Sequence, residues 1–310
     1  MTLLDLMPME QSTGEIVHER LCVTAAKMGT PRAIVSDGGT DLKRAMELLH
    51  EDHPEVHHVL DMKHKNATLL KKELKGDERW ASFVTQANKT KLGVTQTSLA
   101  FLNPPGLKTK ARYMNLDTLV SWGLQALAYL DHPRVIPDQP INRQKLREKL
   151  GWLRGYRQDL KRWSELLAIA QAAEEYVHKE GVHSLIHDEL QTRLQSLVTT
   201  AAGRRFQDAL LSFVAEQSST LPKGERFIGS TEVLESIIGK YKRLQSSHSK
   251  GGMTAMLLSI GAIVGHKAVD TIRTALQTVT TADVTAWCKK HLGVTLQAQR
   301  KIAIGATKTG

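Results

Sequence analysis

The sequence predicts an α/β core, a mixed sheet with parallel strands, interrupted by a large all-helical insertion, so that the chain is helical overall. Three observations carry this reading. The first 75 or so residues alternate short β-type apolar runs with helical patterns. From Asp77 to Gln217 the pattern changes to long helical segments with few β-branched clusters. After a linker containing Gly and Pro, Leu221 to Ser230, helical periodicity resumes. The boundaries implied are 1–76 for the core segment, 77–220 for the helical insertion and 221–310 for C-terminal helices. A chain of 310 residues is long enough for one large domain or two ordinary ones, each with a sizeable core.

In chain order, Thr2 to Met7 is a brief apolar run ending at Pro8. Thr13 to Met28 shows helical spacing (Ile16, Leu21, Ala25, Met28) behind a Ser12 or Thr13 cap. Ala33 to Val35 is a second apolar run, stopped at once by Ser36, Asp37, Gly38 and Gly39, after which Thr40 or Asp41 is placed to cap a helix reading LKRAMELLH. Val56 to Leu60 is the third run, and Asn66 to Leu74 a basic helix. Strand and helix alternating at these lengths imply parallel strands with crossover helices. In the insertion, Leu116 to Leu130, Arg143 to His178 and His183 to Val198 are the clearest helices, and Pro104, Pro105, Pro133, Pro137 and Pro140 punctuate the loops. A helix from Thr231 to Leu244, the polar QSSHSKGG stretch, further helices to about His291 and a basic small-residue tail complete the chain.

Charge narrows the class of partner. Lys and Arg number 42 against 32 Asp and Glu, a formal net charge of +10 and a pI of about 9.5. This excess favours a polyanion, with nucleic acid ahead of membrane because no basic amphipathic segment dominates either end. No apolar run approaches the roughly 18 residues of a membrane span, and the longest candidate, Met253 to Val264, carries Thr, Ser and Gly. Cys22 and Cys288 are too few and too distant in sequence for a disulfide framework, which fits a reducing compartment. MTLLDLMPMEQ lacks a cationic leader with an apolar core, so no secretory signal is expected. The expected location is cytoplasmic, associated with the nucleoid.

The segment IVSDGGTDLKRA, Ile34 to Ala45, is the most informative. An Asp directly after an apolar strand stands at the strand's carboxyl end, where open α/β sheets place their ligands. Gly38 and Gly39 then allow a sharp turn that leaves the carboxylate exposed; the plain alternative is a turn with Asp37 as an Asx cap. The second segment is FIGSTEVLESIIGKYKRL, Phe227 to Leu244. With Ser230 or Thr231 as cap, Glu232, Glu235, Gly239 and Lys242 fall on one helical stripe. A carboxylate on such a stripe binds a divalent metal while a cation two turns on meets a phosphate, the division of labour phosphoryl transfer requires. An ordinary solvated helix face is the alternative.

These motifs, a strand running into SDGGTDLKRA, a next strand running into HHVLDMKHKNATLLKKEL, a helical insertion and a late STEVLESIIGKYK helix, resemble the later parts of a DDE-type transposase of the bacterial insertion-sequence kind, with an RNase H-like catalytic core. The resemblance covers Thr2 to about Leu244 and is most specific over Ala33 to Leu74 and Ser230 to Leu244. It implies that Asp37 is the second and Glu235 the third of three metal-binding carboxylates, with Glu232 as the fallback for the third, and that Lys242, beside Lys240, contacts DNA. It implies two Mg²⁺ ions, in-line attack on a DNA phosphodiester, strand cleavage and strand transfer at mobile-element ends, and DNA as partner, with a homo-oligomer compatible. The first carboxylate has no counterpart, because the sequence begins at about the third strand of that core and Asp5 falls on the wrong strand. A chain lacking the N-terminal part, with impaired metal chemistry, is therefore expected.

Basic residues fall where DNA handling wants them. Lys63, Lys65, Lys71, Lys72 and Lys75 follow the third apolar run, and Arg143, Lys145, Arg147, Lys149, Arg154, Arg157, Lys161 and Arg162 crowd one stretch with only Glu148 and Asp159 in opposition. Trp152, Tyr156 and Trp163 in that stretch read as its buried stripe, with the charges on the outer face. His50, His53, His57, His58 and His64 gather within fifteen residues. No Cys or HExxH spacing accompanies them, so structural or exposed histidines are expected, with His64 beside Asp61 the one to watch for a phosphate contact. Two alternatives from other classes stand: a catalytically inactive DNA-binding remnant of a transposase, and an unrelated basic helical nucleic-acid-binding protein.

Overall fold

The computed structural model describes residues 2–9, 11–106, 116–133, 142–246, 255–265, 268–292, 299–300 and 302–303. In chain order its elements are α1 (Gly14–Met28), β1 (Ala33–Ser36), α2 (Thr40–Asp52), β2 (His57–Leu60), α3 (Met62–Leu74), α4 (Glu78–Val94), α5 (Leu116–Asp131), α6 (Arg143–Leu150), α7 (Arg157–Glu180), α8 (Ile186–Leu194), α9 (Ala201–Ser218), α10 (Glu232–Ser246), α11 (Ser259–Val264), α12 (Val269–Thr278) and α13 (Thr281–His291). The protein is predominantly helical, with a small parallel sheet in which Ala33 pairs with His57 and Ser36 with Leu60. No helix among the described residues is long and apolar enough to cross a membrane.

Several elements differ from the sequence expectation. Thr2 to Met7 forms no strand; its first residues are solvent-exposed, and an apolar run with no neighbour to complete its ladder gains nothing from extending. Among the described residues the sheet therefore has two strands, both parallel, in place of a mixed one. The cap of α2 is Gly39, and neither Thr40 nor Asp41; Asp41 instead receives the hydroxyl of Ser12. Helix α3 starts four residues before Asn66, because the Asp61 carboxylate accepts the N–H groups of Lys63 (2.7 Å) and His64 (3.1 Å). The stretch Arg143 to His178 is two α-helices joined by a 3₁₀ segment over Gly151–Tyr156. Pro137, Pro140, part of the QSSHSKGG stretch and most of the basic tail lie outside the described residues.

The chain divides into two compact units. One comprises Ala33–Gly38 and His57–Ser230, so the strands group with the helical block; the other comprises Met1–Arg32, Gly39–Val56 and Thr231–Gly310. In the first unit the core is built around Phe83, which is fully buried and has ring centroids of Trp163, Tyr156 and Trp152 at 5.1, 5.4 and 5.6 Å. The expected aromatic stripe is thus the inward face of the 3₁₀–α7 stretch. Trp152 reaches back to donate to Thr90 of α4 (2.9 Å) and Tyr156 to Ser82 (2.8 Å), so the rings also satisfy their polar ends. In the second unit α1 packs on α2 and α10 on α11. Helices α12 and α13 bury no residue; Val269, Ile272 and Leu276 are exposed along α12 and Val279 just beyond it.

The stretch Leu221 to Ser230 is held and is not a free linker. Val182 and Phe227 exchange backbone hydrogen bonds of 2.7 and 2.8 Å, and Arg226 binds the backbone carbonyl and carboxylate of Glu180. The Gly229 carbonyl accepts the N–H of Met62 at 3.1 Å. A Cβ on Gly229 would stand 2.5 Å from methyls of both Val177 and Val182, so only glycine allows this close approach.

Candidate functional site

The carboxyl ends of β1 and β2 bring together several of the residues singled out in the sequence. Ser36, the last residue of β1, is buried; its hydroxyl accepts the N–H of Gly38 (3.2 Å) and lies 2.8 Å from Nε2 of His58 on β2. That leaves its proton for His58 whenever Nε2 is unprotonated. Gly38 has φ 76°, in the left-handed region that side chains avoid, and this turn follows directly on Asp37, which is exposed. On the neighbouring strand, Asp61 N–H donates to the Ser36 carbonyl (2.8 Å), and Leu60 N–H donates to the side-chain oxygen of Gln217 from α9 (2.9 Å). The two strand ends are therefore cross-tied to each other and to the helical block.

Asp61 is the functional-looking residue that sequence reasoning placed only in passing. It is 1% exposed, caps α3 and stands 3.6 Å from Nδ1 of the half-buried His64. The signal was present, since an Asp directly after an apolar run and before a helical pattern is an N-cap signature. Lys63 and Lys65 follow in the first turns of α3. Both are half-buried, and the Lys65 ammonium sits 4.5 Å above the ring of Phe213, so part of its charge is engaged within the fold.

The other histidines have local partners. His50 contacts the carbonyl of Val56 (2.6 Å), His53 the carboxylate of Glu55 (3.3 Å), and the His57 ring lies 5.1 Å from that of Phe227. Cys22 and Cys288 are free thiols, half-buried and not in the core; Cys22 Sγ is 3.3 Å from Nε2 of His18. Asp5 is exposed and lies in no strand or helix, its carboxylate accepting the N–H of Leu6.

Asp37 belongs to the unit containing the sheet and Glu235 to the other. Glu232 and Glu235 both stand in the first turn of α10, where the helix dipole favours carboxylates, and the Glu235 N–H donates to the Thr231 carbonyl (3.0 Å). Glu235 and Gly239 are half-buried, while Glu232, Lys240 and Lys242 are exposed. Among the described residues no group of three or more His, Cys, Asp and Glu side chains is gathered closely enough to hold a metal ion. The donor set that two Mg²⁺ ions require is thus not assembled from these residues.

The basic stretch of the insertion divides into two halves. Asp131 pairs with Arg157 (2.5 Å) and Arg154 (3.5 Å), Asp77 with Arg162 (2.7 Å), and Asp159 with Arg79 (2.7 Å) and Arg162 (3.4 Å). The Arg157 hydrogen bond, ahead of the Arg157 and Arg154 charges, holds the Asp131 carboxyl below the usual carboxylate range. The sequence suggested only Glu148 and Asp159 in opposition; Asp131 and Asp77 come from distant positions. On α6 the sole carboxylate is Glu148, paired with Lys149 (2.9 Å).

Comparison with protein-family models, curated proteins and solved structures finds no match to the chain.

Proposed function

We propose that the chain is a DNA-acting protein of the DDE-transposase type, a polynucleotidyl transferase that cleaves and joins strands at mobile-element ends, with an RNase H-like core contributing Asp37 and Glu235. The observation that carries the reading is the strand-end arrangement. Asp37 is exposed at the carboxyl end of one of two adjacent parallel strands, on a turn fixed by the Ser36–Gly38 hydrogen bond and the positive φ of Gly38. The Gly229 carbonyl is tied to Met62 at the end of the neighbouring strand, and the helix bearing Glu235 begins three residues after Gly229 in the chain.

In this reading Asp37 and Glu235 would hold a divalent cation, which when bound would offset the charge of the reacting phosphate, and Lys242, two turns beyond Glu235, neutralises a neighbouring phosphate of the strand together with Lys240. Mg²⁺ is part of the proposal through the resemblance alone, and the described residues do not by themselves fit it, so no step is routed through it. A second reading, a DNA-binding remnant without cleavage activity, is favoured by the exposed basic residues of the insertion, which need no metal to hold a phosphate backbone.

Cleavage of labelled duplex DNA by the full chain, with and without Mg²⁺, tests the proposal. The expected result is Mg²⁺-dependent nicking that Asp37→Asn and Glu235→Gln each reduce at least about 100-fold, with DNA affinity within about twofold. Binding without any cleavage selects the remnant reading, and cleavage unaffected by either substitution overturns the assignment.

A further inference from the structure

The parallel sheet has two outer edges, and they are closed differently. The Asp61 N–H donates to the Ser36 carbonyl at 2.8 Å, which fixes the phase of the ladder between β1 and β2. Alternate residues of a parallel strand address its neighbour, so Ile34 and Ser36 bond towards β2 while the N–H and C=O groups of Ala33 and Val35 point away from it. On β2 the outward groups include the Leu60 N–H, and the side-chain oxygen of Gln217 meets that donor at 2.9 Å. The Phe227 ring lies 5.1 Å from that of His57 at the start of the same strand. The edge of β1 has no such closure. Among the described residues no strand pairs with it on that side, and no hydrogen bond engages the outward N–H or carbonyl of Ala33 or Val35.

This edge belongs to a packed strand. Ala33, Ile34 and Val35 are half-buried, and Ala33 and Val35 pack their side chains against the hydrophobic core. Peptide groups left without partners at a half-buried edge are costly, and such an edge is a template for another strand. The edge also complements itself. Laid antiparallel against a second copy with the two-fold axis at Ile34, Val35 of each copy faces Ala33 of the other. Those pairs exchange about four N–H···O bonds and use every outward group of the strand. Pro31, the next outward-facing position, has no N–H, so the ladder ends there. Arg32 directly before the strand and Asp37 directly after it carry opposite charges. Antiparallel pairing sets the Arg32 end of each copy beside the Asp37 end of the other, whereas parallel pairing would set like ends together.

We propose that β1 is a dimerisation edge, on which a second copy of this chain docks its own β1 antiparallel about Ile34, making one continuous sheet in the order β2, β1, β1, β2. The proposal goes beyond the DNA-acting reading and does not depend on it, since it holds or fails whether or not the chain cleaves DNA.

The test is the oligomeric state of the full chain by sedimentation equilibrium over a range of protein concentrations, combined with cross-linking. Wild type is expected to show a concentration-dependent monomer–dimer equilibrium. Val35→Pro removes an outward N–H that the β1–β2 ladder does not use, and is expected to raise the dimer dissociation constant at least about tenfold with an unchanged circular dichroism spectrum. Two Ile34 residues meeting on the axis form a non-hydrogen-bonded pair with Cα atoms about 4.5 Å apart, inside the range of about 4.4–6.8 Å that a disulfide spans. With Cys22 and Cys288 replaced by Ser, Ile34→Cys is therefore expected to give a disulfide-linked dimer under mild oxidation at least about ten times faster than Ala33→Cys, which faces Val35 of the other copy. Linking through Ile34→Cys decides the matter even if Val35→Pro fails to fold. A wild-type chain that stays monomeric and does not link through Ile34→Cys overturns the proposal. So does a dimer that survives Val35→Pro unchanged and links no faster through Ile34→Cys than through Ala33→Cys, because that dimer uses another face.

Discussion

Two helices of similar apolar content, α7 in the helical block and α12 near the C-terminus, have opposite fates. Helix α7 spans 24 residues and buries eight of them, including Leu160, Trp163, Leu166 and Ile169 at the periodicity of one helical face. Helix α12 spans 10 residues with Val269, Ile272, Leu276 and Val279 along or just beyond it at the same kind of spacing, and buries none. Amphipathic pattern alone therefore specifies a helix but not its packing. What decides is whether neighbouring elements supply a facing surface: α7 receives α3, α5, α8 and α9. Among the described residues the large buried core accordingly lies in the unit that carries the two strands.

The largest expected effect that sharpens this contrast is a matched pair of truncations. Leu160 is fully buried, and its methyl stands 2.6 Å from where a Cβ on Gly123 of α5 would be, so Leu160→Ala leaves a cavity with little room to collapse. We expect it to destabilise by about 2–5 kcal/mol. Leu276 is 79% exposed, and Leu276→Ala is expected to change stability by less than about 0.5 kcal/mol. Chemical denaturation of both variants checks this, and equal losses would break the comparison.

Next in size is the junction that starts α9. The Glu165 carboxylate accepts the N–H groups of Thr199 (2.8 Å) and Thr200 (2.9 Å) and the hydroxyls of both (2.6 and 3.2 Å). Burial pushes its pKa up, but these four hydrogen bonds outweigh it and leave the carboxyl below the ordinary glutamate value. A depressed folded-state pKa means stability that is present above the unfolded value of 4.5 and is lost as pH falls through the folded value. Glu165→Gln is therefore expected to cost about 1–2 kcal/mol at pH 7, with the difference from wild type shrinking below about pH 4.5. Denaturation at pH 7 and pH 4 tests it. Gly203 belongs to the same junction, because a Cβ there would collide with the Glu165 carboxylate.

The smallest effect concerns Gly239. It lies within α10 on the stripe of Glu235 and Lys242, and nothing among the described residues stands within 4 Å of where its Cβ would be. Gly239→Ala is expected to stabilise α10 by about 0.5–1 kcal/mol, seen as a higher melting temperature. If the glycine instead serves close approach of the DNA backbone, the same substitution weakens binding while the fold gains stability.

Legibility in the sequence followed the range of the interactions involved. The helices were readable because i, i+3, i+4 spacing is local, and the parallel pairing of Ala33–Ser36 with His57–Leu60 followed from their alternation with helices. Thr2 to Met7 misled because an apolar run is strand-like only if a partner strand exists. Asp131, which pairs with Arg154 and Arg157 from more than twenty residues away, could not be found by reading along the chain. At the site, Asp37 was legible from the Asp-Gly-Gly break after a strand. The Ser36–His58 contact that supports its turn was not, because it depends on the register between two strands.

The most direct measurement of the central claim is single-turnover cleavage of labelled duplex DNA by the full chain in wild type, Asp37→Asn, Glu235→Gln and the double variant. If the two carboxylates serve one reaction, each single substitution lowers the cleavage rate at least about 100-fold and the double variant is little worse than either, because groups that act as a unit are not additive. Cleavage unchanged by the single substitutions, or losses that simply add in the double variant, would contradict the shared role.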